Sequence, residues 1–252
     1  MGRLGSIAIG TAGWNVPGAY AAYFPGTGSH LQRYGRRLSA VEINTSFYRP
    51  HRVATYERWA ASVPDGFRFA VKIPRVITQE RRLIDAGEPL ARFLCEGAGL
   101  GSKLGPLLLQ LPPSLAFDRG PSAFLAELRR AHPGTVVCEP RHPTWFTPEV
   151  DALLDELSIA RVAADPAPVR GADEPGGWRG LTYYRLHGSP KIYYSAYGPA
   201  ALDRIAARLA QDASGGREVW CIFDNTAEFA ATGNAIETDG LVRRERILPG
   251  SA

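Results

Sequence analysis

In the stretch VVCEPRHPTWF (136–146), Glu139, Arg141, His142 and Trp145 follow directly on an apolar run. A carboxylate, a guanidinium and an imidazole held close together can take up a proton, hold an anion and return the proton, which is what general acid–base chemistry requires. Similar endings recur along the chain. SAVEIN (39–44) closes on Glu42 and Asn44, FRFAVK (67–72) on Lys72, and GPLLLQL (105–111) carries Gln110 near its end. IARVAAD (159–165) closes on Asp165, LTYYRLHG (181–188) carries Arg185 and His187, and EVWCIFDN (218–225) ends in Asp224 and Asn225.

Side chains alternate across a strand, so residues two apart share a face. That period pairs Glu42 with Asn44, Glu139 with Arg141 and Arg185 with His187. It also places Ala40, Val137 and Ala163 beneath Glu42, Glu139 and Asp165. Buried singly, each charge would cost on the order of several kcal/mol, so these groups must pair with one another, a ligand or water.

The set supports an acid–base enzyme acting on a small polar, anionic or sugar-like substrate without metal or cofactor. Glu139 is the expected general base or acid and His187 its complementary proton carrier. Lys72 and Arg141, with Arg185, would hold an anionic group or stabilise developing negative charge. Glu42, Asn44, Gln110 and Asn225 would orient hydroxyls, and His142, Asp165 and Asp224 complete the polar lining. Trp14, Tyr48 and Trp145 each follow a strand end and would wall the pocket, as aromatic faces with polar tips suit a flat or sugar-like ligand.

Two other readings stand beside this one. Glu42, Glu139, Asp165 and Asp224 with His187 could hold divalent metal for a phosphodiesterase acting on nucleic acid. Three nearby cations oppose that, and no HxxEH-like or Cys-rich ligand spacing is present. A binding protein that does no chemistry would use the same pocket. For the residues taken singly, an ion-pair lattice plugging the end of the fold, or aromatics anchoring loops, is the bland alternative.

Eight strand-like runs must position these groups: the six above that carry them, together with SIAIG (6–10) and TVVCE (135–139). Helical spacing lies between most of them, at Leu31, Tyr34 and Leu38, at Phe124, Leu125 and Leu128, and at Leu202, Ile205 and Leu209. In TPEVDALLDEL (147–157) Thr147 is a good N-cap, Pro148 suits the first helical position, and Val150, Leu153, Leu154 and Leu157 form one face. Strand and helix alternating about eight times imply a parallel sheet covered by helices. The expected fold is one α/β domain over 1–252, a (β/α)8 TIM-type barrel with its active groups at the C-terminal strand ends. The sixth connection, PAPVRGADEPGGWRG (166–180), lacks helical period and reads as an irregular loop. A doubly wound open sheet is the alternative.

Composition agrees with an ordinary globular chain: 252 residues, 45% hydrophobic and 21% charged, with a net charge of +4. That excess could attract an anionic ligand but falls short of a nucleic-acid signature, so nucleic acid is not the favoured partner. Cys95, Cys138 and Cys221 are odd in number and far apart, which suggests buried free thiols in a reducing compartment. MGRLGSIAIG is not a secretion signal and no stretch reaches membrane-spanning length, so a cytoplasmic protein with no membrane partner is expected. GTAGWNVPG (10–18) matches neither the P-loop nor the dinucleotide fingerprint. His30, His51 and His132 are expected at the surface.

The stretches IGTAGW (9–14), VEINTSFYR (41–49), WAASVPDGFRFAVKIPRVIT (59–78), LGPLLLQLPPS (104–114), EPRHPTWF (139–146), YYRLHG (183–188) and FDNT (223–226) resemble, in order, the YecE-like proteins, domain of unknown function 72. The resemblance spans nearly all the chain and implies a TIM barrel related to xylose-isomerase and endonuclease-IV-like barrels, without implying a reaction. This chain departs from the family pattern at two places. Members often have Thr-His where Thr78-Gln79 stands, and Asn where Asp224 stands. Gln79 cannot titrate as a histidine would.

Overall fold

The computed structural model describes residues 4–247. Ten strands are formed: β1 (Ile7–Thr11), β2 (Ala40–Ile43), β3 (Arg68–Lys72), β4 (Leu104–Gln110), β5 (Val136–Glu139), β6 (Ile159–Arg161), β7 (Ala163–Asp165), β8 (Gly176–Gly177), β9 (Leu181–Leu186) and β10 (Glu218–Phe223). All eight runs read from the sequence become strands. The sixth is divided at Val162 into β6 and β7, and the 166–180 connection contains only the two-residue β8. Seven helices accompany them: α1 (His30–Gly35), α2 (Val53–Ala61), α3 (Gly87–Gly97), α4 (Arg119–Ala131), α5 (Pro148–Glu156), α6 (Pro199–Ser214) and α7 (Ala230–Ile247).

Three of the helices begin at side-chain caps. Ser29 and Gln32 form a reciprocal capping box on α1, Asp118 accepts from the Gly120 amide ahead of α4, and Thr147 accepts from the Val150 amide on α5, with Pro148 in the first turn.

The strands form two α/β sheets in the orders β1-β10-β9-β7 and β2-β3-β4-β5-β6-β8. Every pairing is parallel except the short β6–β8 contact. The two sheets meet at two places. At Val162 the chain steps from one sheet to the other: the Val162 amide continues the β5 ladder through Cys138 O at 2.8 Å, and three residues on, Asp165 is in register with Leu186 of β9. Between β1 and β2, Ala12 and Glu42 form a parallel bridge, reinforced by the Gly13 amide on Glu42 O at 2.9 Å. The Tyr34 hydroxyl ties the same seam, accepting from the Thr11 amide at 2.9 Å and donating to Ala40 O at 3.0 Å. The backbones approach so closely here that a Cβ on Gly10 would lie 2.1 Å from Ala40 O, a position only glycine tolerates.

One face of both sheets feeds a single inner cluster: Ala40, Ala70, Leu108, Val137, Ala160, Val162, Leu181, Tyr183, Trp220 and Ile222. The small residues of β2, β3 and β6 leave room for the stacked rings of Tyr183 and Trp220, whose centroids are 5.9 Å apart. The opposite faces pack against helices in a larger core that includes Leu31, Phe124, Leu128, Leu154, Leu202 and Leu209. Cys138 and Cys221 are buried in that layer as free thiols, whereas Cys95, expected inside, is exposed on α3 because it lies off the buried Leu90–Phe93 stripe.

Candidate functional site

Strand parity assembles the site. Continuing the inner face two residues beyond the apolar cluster gives Glu42 above Ala40, Lys72 above Ala70, Gln110 above Leu108, Glu139 above Val137, Arg185 above Tyr183 and Asp224 above Ile222. His187 lies two further along. All are buried. Arg185 is the hub: its Nε and one terminal nitrogen bind Glu42 in fork geometry at 3.0 and 2.7 Å, the other reaches Glu139 at 2.6 Å, and Asp224 accepts at 2.9 Å. His187 bridges the other two acids, with Nδ1 3.0 Å from Asp224 and Nε2 3.1 Å from Glu139. Gln110 donates to both Glu139 oxygens at 3.0 and 3.1 Å, and Arg141 reaches Oε1 at 3.0 Å. Tyr183, absent from the sequence-derived set, donates to Glu42 at 3.1 Å. Its position two before Arg185 was the available signal.

Burial raises the pKa of the Glu139 carboxyl, but Arg185, His187 and Arg141 together outweigh it and hold the group well below the usual range. Asp224 is held down the same way, chiefly by Arg185 against burial. Burial lowers the pKa of His187, yet the Glu139 charge and the bonds to both acids leave it raised above 6.5. Lys72 is pushed down to about 8, first by burial and then by the Arg185 charge, with the three carboxylates opposing. Glu42, Glu139 and Asp224 thus face Arg185, Arg141, Lys72 and His187 in one largely buried cluster.

Several expected residues lie elsewhere. Asp165 is not on the inner face: Ala160 and Val162 face inward, so Asp165 faces the other way and accepts from Tyr197 at 2.6 Å. Ala163 and Asp165 do share a face, but it is the outer one. Parity also turns Asn225 away from the network; it donates to Ser195 O and Asn234 Oδ1, each at 2.9 Å. Trp145 is fully buried, donating to Leu115 O and packing edge-on against Phe117, so it anchors a loop and walls no pocket. His142 caps the short helical turn Pro143–Trp145 by accepting from the Thr144 amide. His51 and His132, expected at the surface, are half-buried; His51 packs against Trp59, while His30 is exposed.

Two cavities lie at the ends of these strands, one of them lined by network residues. One, of about 410 Å3, is lined by Glu139, Arg141, Ala164, His187, Ile192 and Tyr193 among others. Tyr193, unforeseen from the sequence, lies in the loop after β9 and sits edge-on to His187 at 5.8 Å. The other, of about 580 Å3, is lined by Trp14, Asn44 and Tyr48 with His30, Phe229 and Thr232. Asn44 Oδ1 is buried there without a partner among the described residues. Gln79 lies in the π-helical turn Val76–Glu80 after β3 and lines neither cavity.

Among the described residues, no group of three or more His, Cys, Asp or Glu is arranged to hold a metal ion. The physical reason is Arg185, which occupies the centre of the carboxylate set. No helix among them is long and apolar enough to cross a membrane.

The chain is 27% identical over 214 residues to the UPF0759 protein YunF of Bacillus subtilis, covering 73% of this chain and 71% of that protein. Among solved structures, a DUF72 family protein of Enterococcus faecalis matches with a TM-score of 0.81 at 19% identity, covering 94% of this chain and 96% of the other. A DUF72 family protein of Thermotoga maritima matches at 0.78 and 21% identity, covering 94% and 99%. These structures share the fold. The model of protein of unknown function DUF72 matches residues 8–250, and the chain belongs to that family.

Proposed function

We propose that the two sheets are halves of one closed (β/α)8 barrel, and that its mouth houses an acid–base enzyme acting on a small anionic or sugar-like molecule. Closure rests on the Ala12–Glu42 bridge on one side and the single-residue step at Val162 on the other. The carrying observation for function is His187, held between Glu139 and Asp224 and facing the 410 Å3 cavity beside Arg141. Convergence of unlike titratable groups on one cavity is the usual mark of a working site.

Roles divide more sharply than residue types suggest. Glu139 accepts from Gln110, Arg141, Arg185 and His187 and stays ionised, so it serves as a base only after Arg141 turns to a ligand. Its first task is to orient His187 and raise its proton affinity. His187 is then the proton donor at neutral pH. Arg141 binds the anionic group, Lys72 adds positive charge, and Tyr193 covers the entrance.

The test begins with melting temperatures in a panel of sugar phosphates, where a ligand specific to the native state raises Tm by mass action. Arg141→Ala should remove that rise. Binding should weaken as pH climbs through the folded pKa of His187, above 6.5, and through that of Lys72, near 8, because each step removes positive charge. Turnover is read without knowing the product, by NMR detection of solvent deuterium entering the bound sugar phosphate. His187→Gln should abolish incorporation while leaving a smaller Tm shift, and incorporation at the original rate would sink the assignment. Binding by the original chain with no incorporation from any panel member would favour a binding protein.

A further inference from the structure

Lys72 is unlike the other cations of the site. Arg185 and Arg141 are both ion-paired, whereas no carboxylate among the described residues comes within ion-pair distance of Lys72 Nζ. The ammonium rests over the Phe47 ring, 4.2 Å from its centroid. Its backbone is fixed, since the carbonyl accepts from Ser46 Oγ at 2.7 Å. The chain contains 29 Lys and Arg residues, of which only Lys72, Lys103 and Lys191 are lysines. Lys103 is spent on the Ala60 and Val63 carbonyls, and Lys191 lies over the Tyr194 ring at an exposed loop.

The inner rim is not sealed evenly. Glu42 and Arg185 keep 0% exposure, whereas Lys72 and Gln110, side by side on β3 and β4, keep 5% and 7%. Strand parity sets Lys72 on the same inner face as Glu42, Glu139, Arg185 and Asp224, whose charges act on it. An unpaired amine on that face, at a fixed strand end and acted on by the same two carboxylates that hold the His187 imidazole, is the arrangement of a nucleophilic lysine.

We propose that Lys72 captures the carbonyl carbon of a small aldehyde or ketone bearing an anionic group, forming an imine within the site. The proposal rests on the acid–base reading above and names its substrate class. The neutral amine adds to the carbonyl carbon, the C–N bond forming as the C=O π pair moves to oxygen. One proton passes from nitrogen to that oxygen and His187 supplies a second. Water leaves, the nitrogen lone pair closes the C=N bond, and a protonated imine remains beside neutral His187. The depressed basicity of Lys72 assists: with a pKa of about 8, about a tenth of the amine is neutral at pH 7, against well under a thousandth for an ordinary lysine. The iminium then acidifies the adjacent C–H, giving the acid–base pair a proton to move.

The probe is glyoxylate, a compact anionic aldehyde, added to the full chain with cyanoborohydride, which reduces imines in preference to carbonyls. Adducts are located by peptide mass mapping, with Lys103 and Lys191 as internal references. Lys72 should be labelled at least about tenfold faster than either, and Lys72→Arg, verified as folded by circular dichroism, should lose the dominant adduct. Labelling led by exposed Lys191, or none at Lys72, overturns the proposal. His187→Gln separates this inference from the reading beneath it. Slowed labelling at Lys72 supports both; unchanged labelling with His187-independent deuterium entry removes the acid–base assignment and leaves capture standing. Deuterium entry that needs His187, with Lys72 unlabelled, does the reverse.

Discussion

Two layers of the inner face, separated by only two residues along the same strands, are built on opposite principles. The lower layer, with Ala40, Ala70, Leu108, Val137, Tyr183, Trp220 and Ile222, is held by apolar packing and shape. The upper, with Glu42, Lys72, Gln110, Glu139, Arg185 and Asp224, is buried almost as deeply and held by charge. Apolar packing degrades gradually as atoms are removed, whereas a buried ionic network fails when one member leaves its partners unpaired. The two layers should therefore answer substitution differently.

The largest effect is expected at the hub. Arg185→Met strands three buried carboxylates and should cost at least about 5 kcal/mol, read by urea denaturation or as failure to recover folded protein. Adding Glu42→Gln, Glu139→Gln and Asp224→Asn should restore part of that loss; no recovery would mean that Arg185 acts through packing, as the lower layer does. Next, Trp220→Ala should cost about 4 kcal/mol, and Trp220→Phe clearly less, since the ring stacks on Tyr183 in a space shaped by small residues.

Lys72→Met should move the other way. The folded state lowers the affinity of Lys72 for its proton, from 10.5 to about 8, so its charge opposes folding at every pH below about 8. Sign follows directly: the unfolded chain binds more protons between these values, so the penalty disappears as pH rises toward 10.5. Replacement should stabilise by on the order of 3 kcal/mol at pH 7 and by progressively less above pH 8, measured by thermal unfolding. Destabilisation at neutral pH would show that Lys72 is structural. The smallest change is expected for Asp224→Asn. The amide oxygen can still accept from Arg185 and His187, and the loss should be about 1.5 kcal/mol.

Much of this could be read from the residues because strand parity is a strict rule. The pairs Glu42 over Ala40, Glu139 over Val137 and Arg185 with His187 follow from alternation alone. The rule gives a period and not a phase. Ala160, Val162 and Ala164 take the inner face, which leaves Asp165 on the other side, and nothing in IARVAAD marks which alternate set points inward. Trp145 and His142 failed for another reason: in a loop an aromatic or imidazole ring serves equally as wall or anchor, and only the Leu115 carbonyl and Thr144 amide decide between them. Tyr193 comes from a loop whose path no period encodes.

Glu42 joins two things that usually lie apart. Its backbone carbonyl closes the seam between the sheets by accepting from the Gly13 amide, while its side chain grips Arg185 at the centre of the charged network. If the proposed ligand draws Arg185 toward itself, it pulls through Glu42 on that seam. The Gly13 amide would then gauge occupancy, its rate of hydrogen–deuterium exchange changing on loading even though Gly13 belongs to the opposite sheet's strand end.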